Sequence, residues 1–252
     1  MSIYPKSILI TGASSGIGAA LALSYATPDV HLFLSGRDQN RLSKIAQSCR
    51  EKGANVFEQV VDVSDQGAMA AWILKADSRS PLDLVIANAG ISGGSSAEND
   101  ERSRQIFTTN VDGVLNTVSP IIPQMITRKH GQLALMSSLA GFRGMPSAPA
   151  YSASKAAVKS YGEALRGSLQ NDGIKVSVIC PGFVESRITD ANKFYMPFFM
   201  KGPKAAEIIK RGLAHNKPRI AFPFPMYAAI WLTSVLPMAI IDPIMNRLPK
   251  KT

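Results

Sequence analysis

Short, continuously apolar runs alternate with amphipathic ones along most of the chain. Ser7-Ile8-Leu9-Ile10 opens the series and is followed by a helical pattern from Ala19 to about Ala26. His31 to Ser35, Asn55 to Val61, Leu82 to Ala87, Gln132 to Met136 within Gly131–Ser137, Ile174 to Cys180 and Pro218 to Phe222 repeat the apolar type. Runs of this length with apolar residues on consecutive positions suit strands buried on both faces. Between them lie helical patterns at Gln39–Glu51, Gln66–Ala76, Asp100–Arg128, Tyr151–Leu169 and Ala205–Asn216. Gly53 and Gly173 stand where helix-terminating glycines belong. Strands alternating with helices at this rhythm predict an α/β fold, a Rossmann-type doubly wound seven-stranded parallel sheet in a single domain. Ligands of such sheets bind at the carboxyl ends of the strands.

The punctuation between the runs carries the chemistry. The first strand runs into Thr11-Gly12-Ala13-Ser14-Ser15-Gly16-Ile17-Gly18 and then into a helix. Glycines let the backbone approach a pyrophosphate, and the helix start offers free N–H groups. A tight strand-to-helix turn alone has the same look. The second strand ends at Gly36-Arg37-Asp38, where an acidic residue holds the adenosine ribose of NAD. The Arg37 guanidinium there suits a 2′-phosphate, so NADP(H) is the favoured cofactor with NAD(H) as the alternative. Asp62-Val63 ends the third strand, where a carboxylate can meet the adenine amino group, and Asn88-Ala89-Gly90 closes the fourth with small residues under a bound cofactor.

Ser137-Ser138 ends the fifth strand, and Ala150-Tyr151-Ser152-Ala153-Ser154-Lys155 opens a helix. Residues i and i+4 share a helix face, so Tyr151 and Lys155 can serve one spot. A lysine beside the phenol is expected to lower its pKa from the ordinary ~10, giving a usable acid/base near neutral pH. A surface ion pair would show the same spacing.

These residues resemble the short-chain dehydrogenase/reductase family from about Ser7 to Ser186. The matching pieces are Thr11-Gly12-x-x-x-Gly16-x-Gly18, Asn88-Ala89-Gly90, Asn110, Ser138, Tyr151-x-x-x-Lys155 and Pro181-Gly182, in the family's order. The resemblance implies a nicotinamide cofactor and a catalytic set of Asn110, Ser138, Tyr151 and Lys155. By it, Tyr151 is the general acid or base, Lys155 tunes it and holds the nicotinamide ribose, and Ser138 orients the substrate oxygen. Asn110 holds a water near Lys155 through a local break in the long helix. Gly12, Ser14, Ser15, Gly16, Ile17, Gly18, Arg37, Asp62, Val63, Asn88, Ala89, Gly90, Pro181, Gly182, Val184 and Ser186 line the dinucleotide, although a threonine is commoner in the family at the place of Ser186. The implied activity is reduction of a ketone or aldehyde to an alcohol. A catalytically silent dinucleotide-binding regulator is the alternative, and degenerate members of that kind lose one of the four residues that this chain keeps. A homodimer or homotetramer built through the helices carrying Asn110 and Tyr151 is also implied.

Composition changes this picture in two places. The formal net charge of +10 suits an anionic ligand, an anionic membrane surface or a nucleic acid, but no basic cluster interleaved with aromatics supports nucleic acid. Cys49 and Cys180 form neither a metal spacing nor a disulfide framework, no metal site is expected, and Met1 to Lys6 carries no apolar signal core, which fits a reducing, cytoplasmic setting. The chain divides into a dinucleotide-binding and catalytic part, residues 1–222, and an apolar extension, residues 223–252. Within the first part, residues 187–203 are aromatic and Met-rich (Phe194, Tyr195, Phe198, Phe199, Met200) and suit either a lid over an apolar substrate or a core contact. The extension carries Tyr227 and Trp231 and ends in Arg247, Lys250 and Lys251. It is too interrupted by Pro237 and Asp242 for a membrane span, and suits a contact at the inner face of an anionic membrane, a subunit interface or a pocket wall.

Overall fold

A computed structural model of the chain describes residues 5–93, 98–190 and 194–245. Strands β1 (Ser7–Thr11), β2 (His31–Gly36), β3 (Asn55–Val60), β4 (Leu84–Ala87), β5 (Gln132–Met136), β6 (Lys175–Pro181) and β7 (Arg219–Phe222) form one sheet. Its order is β3-β2-β1-β4-β5-β6-β7, and every neighbouring pair is parallel. The chain reverses its direction of winding between β1 and β4, which opens a crevice at the carboxyl ends of those strands.

Side chains alternate across the sheet, so each strand feeds two cores. Ile8, Ile10, Leu32, Leu34, Leu84 and Ile86 point to one, with helices α1 (Gly16–Tyr25), α2 (Gln39–Glu51) and α9 (Gly202–Ala214). Leu9, Phe33, Val85, Leu133 and Leu135 point to the other, with α3 (Gln66–Arg79), α5 (Gly113–Val118), α6 (Ile122–Arg128) and α7 (Pro149–Ser168). Burial on both faces is why these strands read as unbroken apolar runs.

The structure differs from the sequence reading mostly at helix ends. α1 begins at Gly16, three residues early, because the glycine turn itself supplies the first helical turn. α7 begins at Pro149, whose fixed φ suits a first helical position. The run expected as one helix over Asp100–Arg128 is broken twice. Helix α4 (Asp100–Phe107) passes into a π-helical turn over Thr108–Asp112, where Gly113 N–H donates to Thr108 O, and then into α5. Pro120 lacks an N–H and ends α5 before α6 starts.

A short helix, α8 (Arg187–Asp190), opens the segment read as a lid, and Phe194 packs edge-on against Phe183 at 5.9 Å. Its Met200 is buried and pairs with Val184, whereas Tyr195, Phe198 and Phe199 are exposed. Asn192 and Lys193 lie outside the described residues.

The extension folds as two helices, α10 (Phe224–Val235) and α11 (Met238–Met245), parted at Leu236-Pro237. Met226, Tyr227 and Ile230 of α10 pack on Leu139, Phe142 and Phe183 beside the carboxyl ends of β5 and β6. Among the described residues, no helix is long and apolar enough to cross a membrane.

Candidate active site

The crevice at the β1/β4 reversal is a cleft of about 510 Å³. Its lining includes Gly12, Ser14, Ser15, Gly16, Ile17, Arg37, Val63, Asn88, Ala89 and Gly90, together with Ser138, Tyr151, Lys155, Pro181, Gly182, Val184 and Ser186. Residues expected from seven separate stretches therefore meet in one cavity. Three expected residues stand behind the lining. Gly18 lies beneath the turn, where an added Cβ would come 2.3 Å from Gly12 O. Asn110 is fully buried. Asp62, expected at the adenine, turns its carboxylate aside: Oδ1 accepts from Ser64 N (2.9 Å) and Ser64 Oγ (2.8 Å), and Oδ2 lies 3.5 Å from Arg37 Nη1. Burial works against ionisation of Asp62, but the Ser64 hydrogen bonds and the Arg37 guanidinium outweigh it and hold the carboxyl below its ordinary range.

The glycine turn fits a pyrophosphate on local grounds. Gly12 and Gly16 have φ of +66° and +55°, backbone that glycine adopts without a Cβ penalty. A Cβ on Gly12 would sit 2.8 Å from Ala89 Cα, so the turn packs directly on the end of β4. Asn88 Nδ2 donates to Thr11 O at 2.9 Å, and Thr11 Oγ1 accepts from Asn88 N (3.0 Å) and Ala89 N (3.2 Å). Side chains cap α2, α3 and α4 (Asp38, Asp65 and Asn99), whereas Ser15 makes no such bond at α1. The first-turn N–H groups of α1 are thus left for an anion, with the helix dipole in its favour.

Ser138 and Tyr151 line the cleft together, and the Ser138 hydroxyl is near enough to draw the phenol's pKa down. Ser138 Oγ is fixed by Ala140 N, which donates to it at 3.1 Å, and lies 3.4 Å from Pro181 O. Lys155 Nζ donates to Met136 O at 2.9 Å and stands 5.8 Å from the centre of the Tyr151 ring. Ser137 Oγ donates to Lys155 O at 2.7 Å, locking that turn of α7 to the end of β5.

The expected lowering of the Tyr151 pKa is reversed. Burial pushes the phenol above its ordinary range, against the Ser138 hydrogen bond that draws it down. Burial likewise pulls Lys155 down to about 8. A shared helix face brought the two side chains into one cleft, but the ammonium's hydrogen bond goes to Met136 O and burial dominates the phenol's pKa.

Asn110 owes its place to the π turn. Its Nδ2 donates to Ile91 O and Ser154 Oγ, both at 3.0 Å, and its Oδ1 accepts from Ile91 N at 2.8 Å. A Cβ on Gly90 would come 3.2 Å from Asn110 Oδ1 and 3.3 Å from Lys155 Nζ, so the bare glycine lies close against both groups.

Sequence reasoning missed Arg41 and Arg102, which also line the cleft. Arg41 sits in the first turn of α2, one turn beyond Arg37, with Nη1 2.9 Å from Asp38 Oδ2 and a buried, unpartnered Nε. Its only sequence signal is the four-residue spacing, which reads as an ordinary solvated helix face.

Residues 6–194 match the family described as short chain dehydrogenase. An oxidoreductase of Myxococcus xanthus with no assigned substrate is 39% identical over 246 residues, spanning 96% of this chain and 97% of that one. This chain belongs to the short-chain dehydrogenase/reductase family. The granaticin polyketide synthase putative ketoacyl reductase 1 of Streptomyces violaceoruber is 35% identical over 187 residues, 72% of this chain and 69% of that one. A short-chain dehydrogenase/reductase from Burkholderia phymatum solved in complex with NAD superposes with a TM-score of 0.82 at 26% identity, covering 100% of this chain and 99% of that one. The chain is accordingly an NAD(P)-dependent oxidoreductase of that family, with its Rossmann-like single-domain fold.

Proposed function

We propose that this short-chain dehydrogenase/reductase reduces an apolar ketone or aldehyde to an alcohol, with NADPH as its preferred cofactor and Tyr151 as the general acid. The observation that carries the reading is the convergence of the Ser138 and Tyr151 side chains in one cleft, beside Lys155. Two hydroxyls lining one cleft can both reach one carbonyl oxygen. A bound nicotinamide cofactor supplies the hydride. The protein's own task is to hold the carbonyl and neutralise the charge that develops on its oxygen. Ser138 donates a hydrogen bond to that oxygen, and Tyr151 gives up its proton to it. Burial holds the phenol above its ordinary pKa, so Tyr151 meets the carbonyl as a protonated donor. In this reading Lys155 holds the cofactor ribose and restores the Tyr151 proton, with the Asn110 amide close by across Gly90.

The cofactor preference rests on Arg37 and Arg41, two guanidiniums at the end of β2 where a 2′-phosphate is met. Ser14 supports it: a Cβ on Gly36 would lie 3.1 Å from Ser14 Oγ, so the bare glycine lets that hydroxyl into the same corner. Arg37→Asp with Arg41→Ala is expected to weaken NADPH binding by roughly 10²-fold, since charge-assisted hydrogen bonds are each worth about 1.5–3 kcal/mol, and to leave NADH binding within a few fold. Fluorescence titration of both cofactors checks this. An NADPH affinity unchanged in the variant contradicts the preference. NADPH oxidation with a panel of carbonyl compounds, short-chain against long-chain, tests the activity.

The substrate class and the cellular setting rest on the apolar surface beside the cleft. Most of the exposed large apolar side chains in the described residues lie between Tyr195 and Ile240. Trp231, Leu232 and Val235 face outward from α10, while its other face packs beside Leu139, next to Ser138. Arg143, in the loop after β5, holds this pair of helices: it donates to Thr233 O at 3.4 Å and lies 3.6 Å from Asp242 Oδ1. In our reading residues 187–203 act as the lid and residues 223–252 rest on an anionic membrane face from the cytoplasmic side. No charged residue occurs from Phe224 to Ile241, and Arg247, Lys250 and Lys251 follow. Wild-type protein is expected to sediment with anionic vesicles and not with neutral ones, and Trp231→Glu with Val235→Glu to stay in solution. Failure of the wild type to sediment contradicts the membrane part alone. Self-association through α4 and α7 belongs to the same reading, supported by Phe107, an exposed aromatic next to the π turn.

A further inference from the structure

The catalytic helix has no cap of its own. Ala148, the residue before α7, cannot supply a capping side chain, and Pro149 brings no N–H. Ser152 N–H already donates to Ala148 O at 2.9 Å, which leaves Ala150 and Tyr151 as the first-turn donors. Both are taken by one carboxylate from 52 residues away or more: Glu98 Oε2 accepts from Ala150 N at 2.6 Å, and Oε1 from Tyr151 N at 3.4 Å.

Glu98 stands at the end of the connection between β4 and α4. The next residue, Asn99, caps α4 by accepting from Arg102 N at 2.8 Å, and Arg102 Nε donates back to Ser92 O at 2.9 Å. Two consecutive residues therefore cap two helices, the one that carries Tyr151 and the one that leads to Asn110. Gly93 permits the fold-back, since a Cβ there would come 2.6 Å from Glu98 Cγ. The backbone of Ile91, in the same connection, is what holds both ends of the Asn110 amide.

We infer that Glu98 is a positioning residue for Tyr151. Its carboxylate ties the first turn of the catalytic helix to the segment that lines the cleft at Gly90, Ile91 and Ser92, so that the phenol and the Asn110 amide keep a fixed distance. The inference rests on the reading of Tyr151 as general acid. It adds a tether that acts through the backbone and touches neither substrate nor cofactor.

Glu98→Asp keeps the charge but withdraws the carboxylate by one methylene, on the order of 1.5 Å, and misplacements of about 1 Å can cost up to ~10²-fold in rate. The Asp variant is expected to lose about tenfold in kcat while NADPH affinity stays within about twofold, because the contacts proposed for the cofactor phosphates come from the glycine turn and Arg37. Glu98→Gln keeps the reach and one acceptor oxygen, and is expected to stay within roughly threefold of wild-type kcat. Wild-type kcat in Glu98→Asp overturns the inference. So does a parallel loss of kcat and NADPH affinity in both variants, which marks a residue needed only for folding. Tyr151→Phe in the same assay separates the two levels: if it turns over like wild type, the reading of Tyr151 fails, and if it is inactive while Glu98→Asp is not, only the tether fails.

Discussion

Tyr151→Phe is expected to lower single-turnover reduction by roughly 10²–10⁴-fold, the usual contribution of a positioned general acid. The substitution removes one oxygen and keeps the ring, so the walls of the cleft are unchanged. What disappears is the proposed proton donor, the hydroxyl that shares the cleft with Ser138. Ser138 can still donate to the carbonyl oxygen, held as it is by Ala140 N, and its contribution is the residual rate. NADPH affinity should stay within about twofold, because the contacts proposed for phosphates and ribose come from the α1 turn, Arg37 and Lys155 rather than from the phenol. Loss of one hydrogen bond costs about 1 kcal/mol of stability, far too little to explain inactivity by unfolding. Stopped-flow NADPH oxidation under single-turnover conditions reads the rate, and fluorescence titration reads the affinity. A variant that turned over within about threefold of wild type would remove Tyr151 from the chemistry.

Gly18→Ala should abolish tight cofactor binding without touching any group that reacts. A Cβ at this position would lie 2.3 Å from Gly12 O and 2.5 Å from Asn88 Nδ2. Neither atom is the free end of a flexible chain. Gly12 is backbone packed on Ala89, and Asn88 Nδ2 is already committed to Thr11 O and Gly12 O. Relief therefore requires the turn to lift off the end of β4 or α1 to shift outward, and either distorts the cradle of N–H groups. Overpacking of this kind costs about 1–3 kcal/mol. A fall in thermal midpoint of several degrees and a loss of NADPH affinity of at least about tenfold are expected together. Gly144→Ala is the matched control, since nothing lies within 4 Å of the Cβ it would add. Equal affinities in the two variants would contradict this account of the turn.

The fold was legible where one physical cause dominated. A strand buried on both faces must be apolar throughout, so β1, β2, β4 and β5 stand out, and the glycines between the strands mark places where backbone meets backbone. The site was legible for the same reason: Gly12, Asn88, Ser138 and Tyr151 each follow a strand or open a helix at the edge where ligands bind. Features that depend on direction in three dimensions were not. The spacing of Tyr151 and Lys155 predicts a shared face, yet the ammonium turns to Met136 O, and burial then decides the phenol's pKa. The carboxylate of Asp62 looked free for adenine until Ser64, two residues on, engaged it. The break at Pro120 was readable from that proline alone and went unused. Glu98 and Arg143 act on partners far along the chain, at Ala150 and Thr233. No local pattern announces such contacts. Arg41 has the opposite difficulty, since its spacing is that of any exposed helical arginine.

The proposed chemistry stands or falls on whether two hydroxyls serve one oxygen. A crystal structure of the protein soaked with NADP⁺ and an unreactive alcohol or ketone analogue measures this directly. The prediction is a single ligand oxygen within about 2.5–3.0 Å of both Ser138 Oγ and Tyr151 Oη, the range of O–H···O hydrogen bonds. A ligand oxygen bound by neither hydroxyl, with the nicotinamide ring seated beside some other acid, would contradict it.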